Sequence, residues 1–399
     1  MMDEVHGNDH PLEILDTRIK WANLQDELQK VLTTGSKCRR TSFAHQIPGS
    51  VGFLSQVVLI DLHWFPQVPK LPSKVVLKVP ISKPHEPNPE DVETPAERLE
   101  PLLQALFQAE HSFYDFYRSI ENLHIPKPPV PHFYYAAKFE KNHEYLVFEY
   151  LHDTHHFHIW DNFNETQIDQ VLLAIAKTQA CGYLRDSNSR PGLDQKMMKT
   201  LYKDCFPVEE MLELLHKMPA FYGEELQPLV EKLAQTHQKI WDLDIEKKVC
   251  KKLGIKPALI HGDMWSTNIL WEADDHNKLR ALLDWQMTHH GNPAADLIRL
   301  FNSCMSGVHR RRYWKDYLRI MHKHLTHAMG THPVPYTYEQ AFDAYVFHYP
   351  METFLYLPPL NPIVANANRS EEPELAQKRK SIVAEKVKCM MEDILEFQR

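Results

Sequence analysis

The sequence predicts an α+β fold with a β-rich N-terminal lobe and a mainly helical C-terminal lobe. Strand-like apolar runs are concentrated before residue 150, whereas apolar residues at helical spacing dominate after it. A chain of 399 residues is also long enough for one fold with two lobes. We therefore expect a mobile N-terminus over 1–20, an N-terminal lobe over 21–150 and a C-terminal lobe over 151–399.

The N-terminal lobe is expected to alternate a few strands with two helices. The elements predicted for it are, in chain order, an amphipathic helix on Trp21, Leu24, Leu28, Val31 and Leu32, strands over 51–64 and 73–80, an exposed loop over 83–97, a helix over roughly 95–120, and strands over 132–140 and 144–151 joined by a polar turn at 141–143.

The C-terminal lobe is expected to be helical apart from one small β-island. Helical periodicity predicts helices near 166–183, 207–217, 222–243, 294–305, 311–328, 337–348 and 373–397. Within this lobe, NILW (268–271) and LRALLDW (279–285) flank a polar turn, EADDHNK, which is a β-hairpin pattern.

Composition excludes several classes of protein. The hydrophobic fraction of 43% and charged fraction of 25% are typical of globular proteins, and the net charge of −8 argues against nucleic-acid binding. The six cysteines show no C-x-x-C spacing, which favours reduced thiols over disulfides or a zinc site. We find neither a signal peptide nor an apolar run long enough for a membrane helix. These features predict a cytoplasmic protein without nucleic-acid or membrane partners; they do not predict its oligomeric state.

The stretch HGDMWSTNILW (261–271) is the strongest candidate site. In the predicted hairpin, Asn268 begins the first strand and Asp284 ends the second, so the two should be neighbours. Two oxygen-bearing side chains at that separation suit Mg²⁺. Asp263 lies on the loop leading into this pair, where it can accept a proton from a hydroxyl nucleophile. This H-x-D-x-x-x-x-N pattern followed by a strand-end Asp is the arrangement used for phosphoryl transfer.

Residues 258–300 resemble the aminoglycoside phosphotransferase and choline kinase superfamily, a branch of the bilobal protein-kinase-like fold. More narrowly, HGDMWSTNILW and LLDWQMTHHGNPAADLIRL resemble the CHK kinase-like, or ecdysteroid-kinase-like, family, particularly its nematode members. DTRIKWANLQDELQKVL (16–32) and VGFLSQVVLIDLHW (51–64) also resemble that group, so the resemblance covers nearly the whole chain.

The resemblance implies roles in the C-terminal lobe for five residues. Asp263 would be the catalytic base, and Asn268 and Asp284 would bind magnesium. His261 would hold the catalytic loop in shape, and Asp296 would brace the same loop. The cofactors implied are ATP and Mg²⁺.

The resemblance also implies a nucleotide site in the N-terminal part of the chain. Lys78, at the end of VVLK, resembles the lysine that contacts the α- and β-phosphates, and Glu110 matches the acid that would pair with it. A solvated strand-end lysine is the alternative for Lys78. Backbone groups of Glu149, Tyr150 and Leu151 would face adenine in a hinge.

The predicted phosphate-covering turn departs from the family pattern. IPGSVGFLS (47–55) contains only Gly49 and Gly52, fewer glycines than G-x-G-x-x-G loops carry. DWQ replaces the D-F-G of protein kinases, and no A-P-E segment follows, which favours a small-molecule substrate.

Two groups of residues near the motif have alternative interpretations. The histidines of LHDTHHFHIW (151–160) are either a metal cluster or, as we favour, a polar rim beside the cleft; His289 and His290 are predicted to make local loop contacts. Trp265 and Trp285 flank the site and belong either to the core or to an apolar substrate pocket.

The sequence thus predicts an ATP-dependent kinase for a small hydroxylated molecule. Ecdysteroid- or steroid-like, choline-like and xenobiotic acceptors all remain open. The alternatives are a catalytically silent, kinase-shaped binding protein, suggested by the glycine-poor turn, and a protein kinase. A choline-like acceptor would need acids or an aromatic cage, and a steroid-like one a long apolar groove.

Overall fold

The computed structural model describes residues 12–15, 17–47, 55–80, 95–137, 144–185, 191–205, 207–369 and 371–398. The chain divides into two compact units. The N-terminal unit comprises Met1–Phe107 and Pro131–His152, and the C-terminal unit comprises Gln108–Val130 and Asp153–Arg399. The lobe boundaries expected from the sequence, 21–150 and 151–399, stay predictions, and the N-terminal residues 1–11 lie outside the described part.

The N-terminal unit is built on an antiparallel sheet of five strands. Its elements are α1 (Trp21–Val31), β1 (Lys37–Cys38), β2 (Phe43–Gln46), β3 (Ser55–Asp61), β4 (Trp64–Phe65), β5 (Lys74–Pro80), the start of α2 (Pro95–Ser119), β6 (Phe133–Ala136) and β7 (Leu146–Glu149). The sheet order is β2-β3-β5-β7-β6, while β1 and β4 form a separate pair.

The central strands β3 (SQVVLID) and β5 (KVVLKVP) are rich in apolar residues because most of their positions are buried and the rest are partly buried. Val58, Ile60 and Leu77 form a core with Leu24 and Leu28 of α1. The strands predicted over 51–64 and 73–80 are confirmed at their described residues. Strand β2 was not predicted, since FAHQ at the sheet edge is mostly exposed and lacks apolar alternation.

The C-terminal unit is mainly helical. It contains the end of α2 and, in chain order, β8 (Thr154–His156), α3 (Glu165–Leu184), α4 (Gln195–Cys205), α5 (Val208–His216), α6 (Met218–Tyr222), α7 (Gln227–Ile240), α8 (Ile245–Leu253), β9 (Ala258–Ile260), β10 (Ile269–Glu272), β11 (Leu279–Leu282), β12 (His289–Gly291), α9 (Ala295–Cys304), α10 (Gly307–Met329), α11 (Tyr338–Tyr356), α12 (Leu360–Ala367) and α13 (Pro373–Phe397). None of the helices in the described ranges combines the length and hydropathy needed to cross a membrane.

The predicted α+β class, β-rich before residue 150 and mainly helical after it, is confirmed by this element order. Helices α4, α6, α8 and α12 were not predicted. The helix predicted over 222–243 is interrupted at Gly223, whose φ of 146° is not helical. The helix predicted over 337–348 instead continues through Pro350 to Tyr356, because residues 348–356 are buried among neighbouring helices.

The predicted β-hairpin is present, as β10 and β11. It gains a third strand, β8, which pairs with the outer edge of β10. Strands β9 and β12 form a second, two-stranded sheet. The candidate motif begins directly after β9 and ends within β10, so both small sheets position it.

Candidate active site

The loop that carries the candidate catalytic residues begins where β9 ends. Strand β9 pairs with β12, with Ile260 opposite His289, and delivers His261, Gly262 and Asp263 in succession. Gly262 has a φ of 83°, and a Cβ there would lie 2.2 Å from the carbonyl oxygen of Met287. The position therefore requires glycine, both for its conformation and for the close approach of the backbone.

Asp296 braces this loop from the first turn of α9. Its side chain is 1% exposed, and its two oxygens accept hydrogen bonds from the backbone N–H groups of His261 (2.8 Å) and Gly262 (2.9 Å). Burial raises the pKa of this carboxyl group, although His261 and the two N–H bonds oppose the rise. These contacts are those of the bracing role predicted for Asp296.

His261 is fully buried and links the loop to the hairpin. Its Nε2–H donates to the carbonyl oxygen of Leu283 (2.8 Å), and its Nδ1 accepts the N–H of Asp263 (3.2 Å). These bonds connect the loop to the residue that follows β11, and the loop-holding role of His261 stays a prediction.

Trp285 belongs to the core. It is completely buried, and its ring stacks on that of Phe113 in α2, with centroids 3.7 Å apart and planes 5° from parallel. The other neighbour is the His261 ring, at 4.5 Å. Of the two interpretations left open for Trp285, the structure supports the core one, whereas Trp265 is only half-buried.

Both carboxylate oxygens of Asp263 have partners. Oδ1 accepts from Nη1 of Arg299 at 2.8 Å, and Oδ2 accepts from Nδ2 of Asn268 at 2.9 Å. The side chain is 22% exposed. Burial raises the pKa of Asp263, and the charge of Asp284 adds to the rise, while Arg299 opposes it.

Asn268 and Asp284 come from facing ends of the hairpin strands. Ile269 pairs with Leu282, and the N–H of Leu283 donates to the carbonyl oxygen of Asn268 at 2.9 Å. Asn268 therefore lies opposite Leu283, one residue before Asp284. The backbone of Asp284 adopts the left-handed conformation, with φ 64° and ψ 66°. This conformation is strained for a residue other than glycine, and such strain often occurs at functional sites.

The donor set at this hairpin end fits Mg²⁺. The amide nitrogen of Asn268 donates to Asp263, so its Oδ1 is the atom that could bind a metal, and Asp284 could add a carboxylate oxygen. Mg²⁺ commonly uses one or two protein oxygens and completes its shell with water and phosphate. Across the described ranges, no group of three or more His, Cys, Asp or Glu side chains could hold a metal.

Arg299 and Glu352 form a part of the site that sequence reasoning missed. Arg299 Nε and Nη2 both donate to Oε1 of Glu352, at 2.9 and 2.7 Å. Behind Glu352 lies His348, whose Nε2 is 3.8 Å from Glu352 Oε2. The position of Arg299, three residues after Asp296 on one helix, could have suggested a shared face. No sequence signal connects Asp296 or Arg299 to Glu352, which lies 53 positions after Arg299.

The predicted nucleotide-site residues are distributed between the units. In the N-terminal unit, Lys78 is 9% exposed and lies opposite Val57 and Leu146 in the sheet, so it is not a solvated strand-end lysine. The N–H of Glu149 is already donated to the carbonyl oxygen of His132. Glu110, in the C-terminal unit, is 2% exposed.

The Lys78–Glu110 pair and the hinge contacts of Glu149, Tyr150 and Leu151 stay predictions. Gly49 and Gly52 lie outside the described residues.

Part of the histidine-rich stretch 151–160, for which a polar rim beside the cleft was favoured, forms strand β8: His155 and His156 lie in the strand, whereas His152 and His158 lie outside it. His155 lies opposite Trp271 and His156 opposite Leu270, and the ring of His155 stacks on that of His276. His289 and His290 were expected in a loop but form β12, because they pair with Ile260 and Leu259. His289 also contacts Glu246 of α8, with Nε2 and Oε2 3.1 Å apart.

Asp296→Asn is expected to lower the free energy of unfolding by roughly 1–3 kcal/mol. An amide offers one oxygen for two buried N–H donors, so either His261 or Gly262 loses its acceptor. Urea denaturation measures the loss, with Asp316→Asn as a control because Asp316 is 60% exposed on α10. Equal stability of the two variants would contradict the bracing role.

The His289–Glu246 pair should make stability depend on pH. Burial alone lowers the pKa of His289, but the Glu246 carboxylate more than offsets this and raises it to about 9 from 6.5. The stabilisation is therefore complete below about pH 6.5 and is lost as the pH rises through about 9.

We expect the free energy of unfolding of the wild type to fall over this range by on the order of 3 kcal/mol, and His289→Gln to show a much flatter dependence. Urea titrations between pH 6 and 10 measure both, with the exposed His332→Gln as control. A slope in His289→Gln equal to that of the wild type would rule out the pair as its source.

Comparison with known proteins gives one family and several relatives. The profile of the DUF1679 family, described as "Uncharacterized oxidoreductase dhs-27", matches residues 13–399. The "Uncharacterized kinase-like protein D1044.1" of Caenorhabditis elegans is 24% identical over 257 residues, which are 62% of this chain and 64% of the relative. The dhs-27 protein of the same organism is 26% identical over 125 residues, 28% of this chain and 15% of the relative.

The chain therefore matches less than two thirds of the length of either curated relative. The word oxidoreductase comes from the description of the family and from the dhs-27 protein, of which the match covers only 15%. The family match and the kinase-like relative confirm the resemblance to kinase-like proteins that the sequence predicts.

Solved structures similar to this chain include three phosphotransferases. A microcompartment-associated aminopropanol kinase has a TM-score of 0.47 at 11% identity and covers 94% of this chain and 98% of its own. The GDP complex of aminoglycoside 2'-phosphotransferase-IIIa has a TM-score of 0.45 at 11% identity, with the same coverage. Choline kinase LicA from Streptococcus pneumoniae has a TM-score of 0.44 at 11% identity and covers 92% and 98%.

Proposed function

This chain belongs to the DUF1679 family, and we propose that it is an ATP-dependent kinase that transfers the γ-phosphate to a hydroxyl group of a small molecule. One observation carries the proposal. Asp263 and Asn268 are hydrogen-bonded to each other, and the backbone of Asn268 pairs with the residue before Asp284. The proposed base and the two proposed metal ligands thus lie on one short loop and one hairpin, which supports phosphoryl transfer as the reaction.

Asp263 would accept the proton of the attacking hydroxyl. Each of its carboxylate oxygens uses one lone pair for an existing hydrogen bond and keeps another. Its partly exposed side chain leaves a direction from which an acceptor can approach. As the new O–P bond forms, the hydroxyl proton passes to the carboxylate, and ADP leaves with the electrons of the bond that breaks.

Asn268 and Asp284 would hold Mg²⁺ through Oδ1 and a carboxylate oxygen. Magnesium held by these two residues would supply positive charge that offsets the negative charge on the phosphates. His261 and Asp296 would keep the loop in shape through the four hydrogen bonds described above. Lys78 and Glu110 would contribute to nucleotide binding, as the resemblance implies.

The test is a search for the acceptor. The purified protein is incubated with ATP-Mg²⁺ and a metabolite extract, and mass spectrometry detects compounds that gain a phosphate. We expect at least one adduct that requires Mg²⁺ and that disappears with Asp263→Asn. Steroid-like, choline-like and xenobiotic acceptors differ in mass, so the same experiment identifies the class. Adducts formed equally by both proteins, or none with the wild type, would contradict the proposal.

A further inference from the structure

We propose that Arg299 and Glu352 form a buried clamp that holds the carboxylate of Asp263 in its reactive orientation. The inference rests on the proposed function, because it assigns a positioning role to residues beside the proposed base. Neither residue is expected to touch the acceptor or the nucleotide.

Helix α9 contacts the catalytic loop at two points. Asp296 accepts the N–H groups of the loop backbone, and Arg299, one turn further along the same helix, reaches the Asp263 side chain. Residues three apart on a helix lie on the same face, so one rigid element fixes both the backbone and the side chain.

The contacts determine how Asp263 is turned. Arg299 holds Oδ1 from one side, and Asn268 holds Oδ2 from the other, so rotation of the carboxylate would break a hydrogen bond. The bond from Arg299 is charge-assisted, a class about twice as strong as neutral hydrogen bonds. The remaining lone pairs of both oxygens therefore point in fixed directions, as a base must present them to a bound hydroxyl.

Glu352 keeps the guanidinium in place. Two nitrogens of Arg299 donate to its Oε1, while the third donates to Asp263. The side chains of Arg299 and Glu352 are 14% and 7% exposed, so water competes little for these bonds. The guanidinium is planar and branched, which lets it contact both acids at once; a lysine could not do so with the same geometry.

The alternative is that the pair only joins helices α9 and α11. Both interpretations predict that removing it lowers stability, since it leaves buried charge without a partner. Only the positioning role predicts that catalysis is lost through Asp263. A comparison in the presence and absence of the Asp263 carboxylate therefore separates them.

The experiment uses Arg299→Lys and Glu352→Gln in the full chain, with hydrolysis of ATP-Mg²⁺ by water as the assay. We expect each variant to lower kcat about ten- to a hundredfold, as for small misplacements of a catalytic group, with KM for ATP changed less than about twofold. In an Asp263→Asn background, Arg299→Lys should cause no further loss of kcat. Arg319→Lys, at an exposed position on α10, is the matched control.

Unfolding by urea is measured on the same proteins, so that a folding defect in one variant is recognised and the other variant is used. The clamp is overturned if kcat of Arg299→Lys and Glu352→Gln stays within about twofold of the wild type, or if Arg299→Lys lowers kcat equally with and without the Asp263 carboxylate. Failure of the proposed function looks different: the wild type then hydrolyses ATP no faster than Asp263→Asn, and the positioning role falls with it.

Discussion

Asp263→Asn is expected to lower kcat at least about a hundredfold while the affinity for ATP-Mg²⁺ changes little. An aliphatic hydroxyl is a poor nucleophile unless its proton leaves as the bond forms. A positioned carboxylate that accepts this proton contributes typically about 10²–10⁴ in rate. The amide keeps the shape of the side chain and removes its basicity.

The fold should survive this substitution. Arg299 keeps both of its bonds to Glu352, and the hydrogen bond from the backbone N–H of Asp263 to Nδ1 of His261 does not involve the Asp263 side chain. Steady-state kinetics and nucleotide titration on the same protein measure the two halves of the prediction. Asp274→Asn is the matched control, since it makes the same change at an exposed residue in the turn between β10 and β11.

Two outcomes would remove Asp263 from the role of base. One is a kcat close to that of the wild type. The other is loss of nucleotide binding with an intact fold, which would place the side chain at the nucleotide instead of the acceptor.

Asp284→Ala is expected to abolish phosphate transfer. The carboxylate is proposed as a principal ligand of the ion that offsets charge on the phosphates, and alanine has no oxygen that could replace it. Retention of more than about a tenth of wild-type kcat would correspond to a barrier change below about 1.4 kcal/mol, too small for such a ligand.

A second variant distinguishes the loss of a metal ligand from an effect on the backbone conformation at Asp284. Asp284 has a φ of 64°, which asparagine adopts more readily than alanine. Asp284→Asn should therefore fold like the wild type and still need much more Mg²⁺ for half-maximal activity. Kinetics over a range of Mg²⁺ concentrations measure this, with Asp274→Ala as the control. An unchanged Mg²⁺ requirement in Asp284→Asn would contradict the metal-binding role.

The sequence by itself determined the fold class and the central motif of the candidate site. Apolar periodicity is a local property, so the buried strands around Val58 and Leu77 and the long helices α3 and α13 were readable from spacing alone. The motif was equally readable, because Asp263 and Asn268 are close in the chain and the hairpin pattern brings Asp284 beside them.

Periodicity could not predict elements whose stability depends on packing or pairing. Strand β8 carries histidines and becomes a strand because the edge of β10 supplies its hydrogen bonds. His289 likewise joins β12 because Ile260 lies opposite it. Pro350 is tolerated inside α11 where its surroundings are buried. In each case the residues that stabilise the element are distant in sequence, so no local pattern predicts it.

Only the tertiary structure decided which charges surround Asp263. Arg299 and Glu352 are 53 positions apart, and in the sequence each is an ordinary charged residue of a predicted or extended helix. They become a buried pair because α9 and α11 pack together. Burial makes the pairing necessary, because a guanidinium or carboxylate removed from water is stable only with a partner of opposite charge. The identity of the candidate site is thus local in the sequence, whereas its electrostatic environment depends on how distant helices meet.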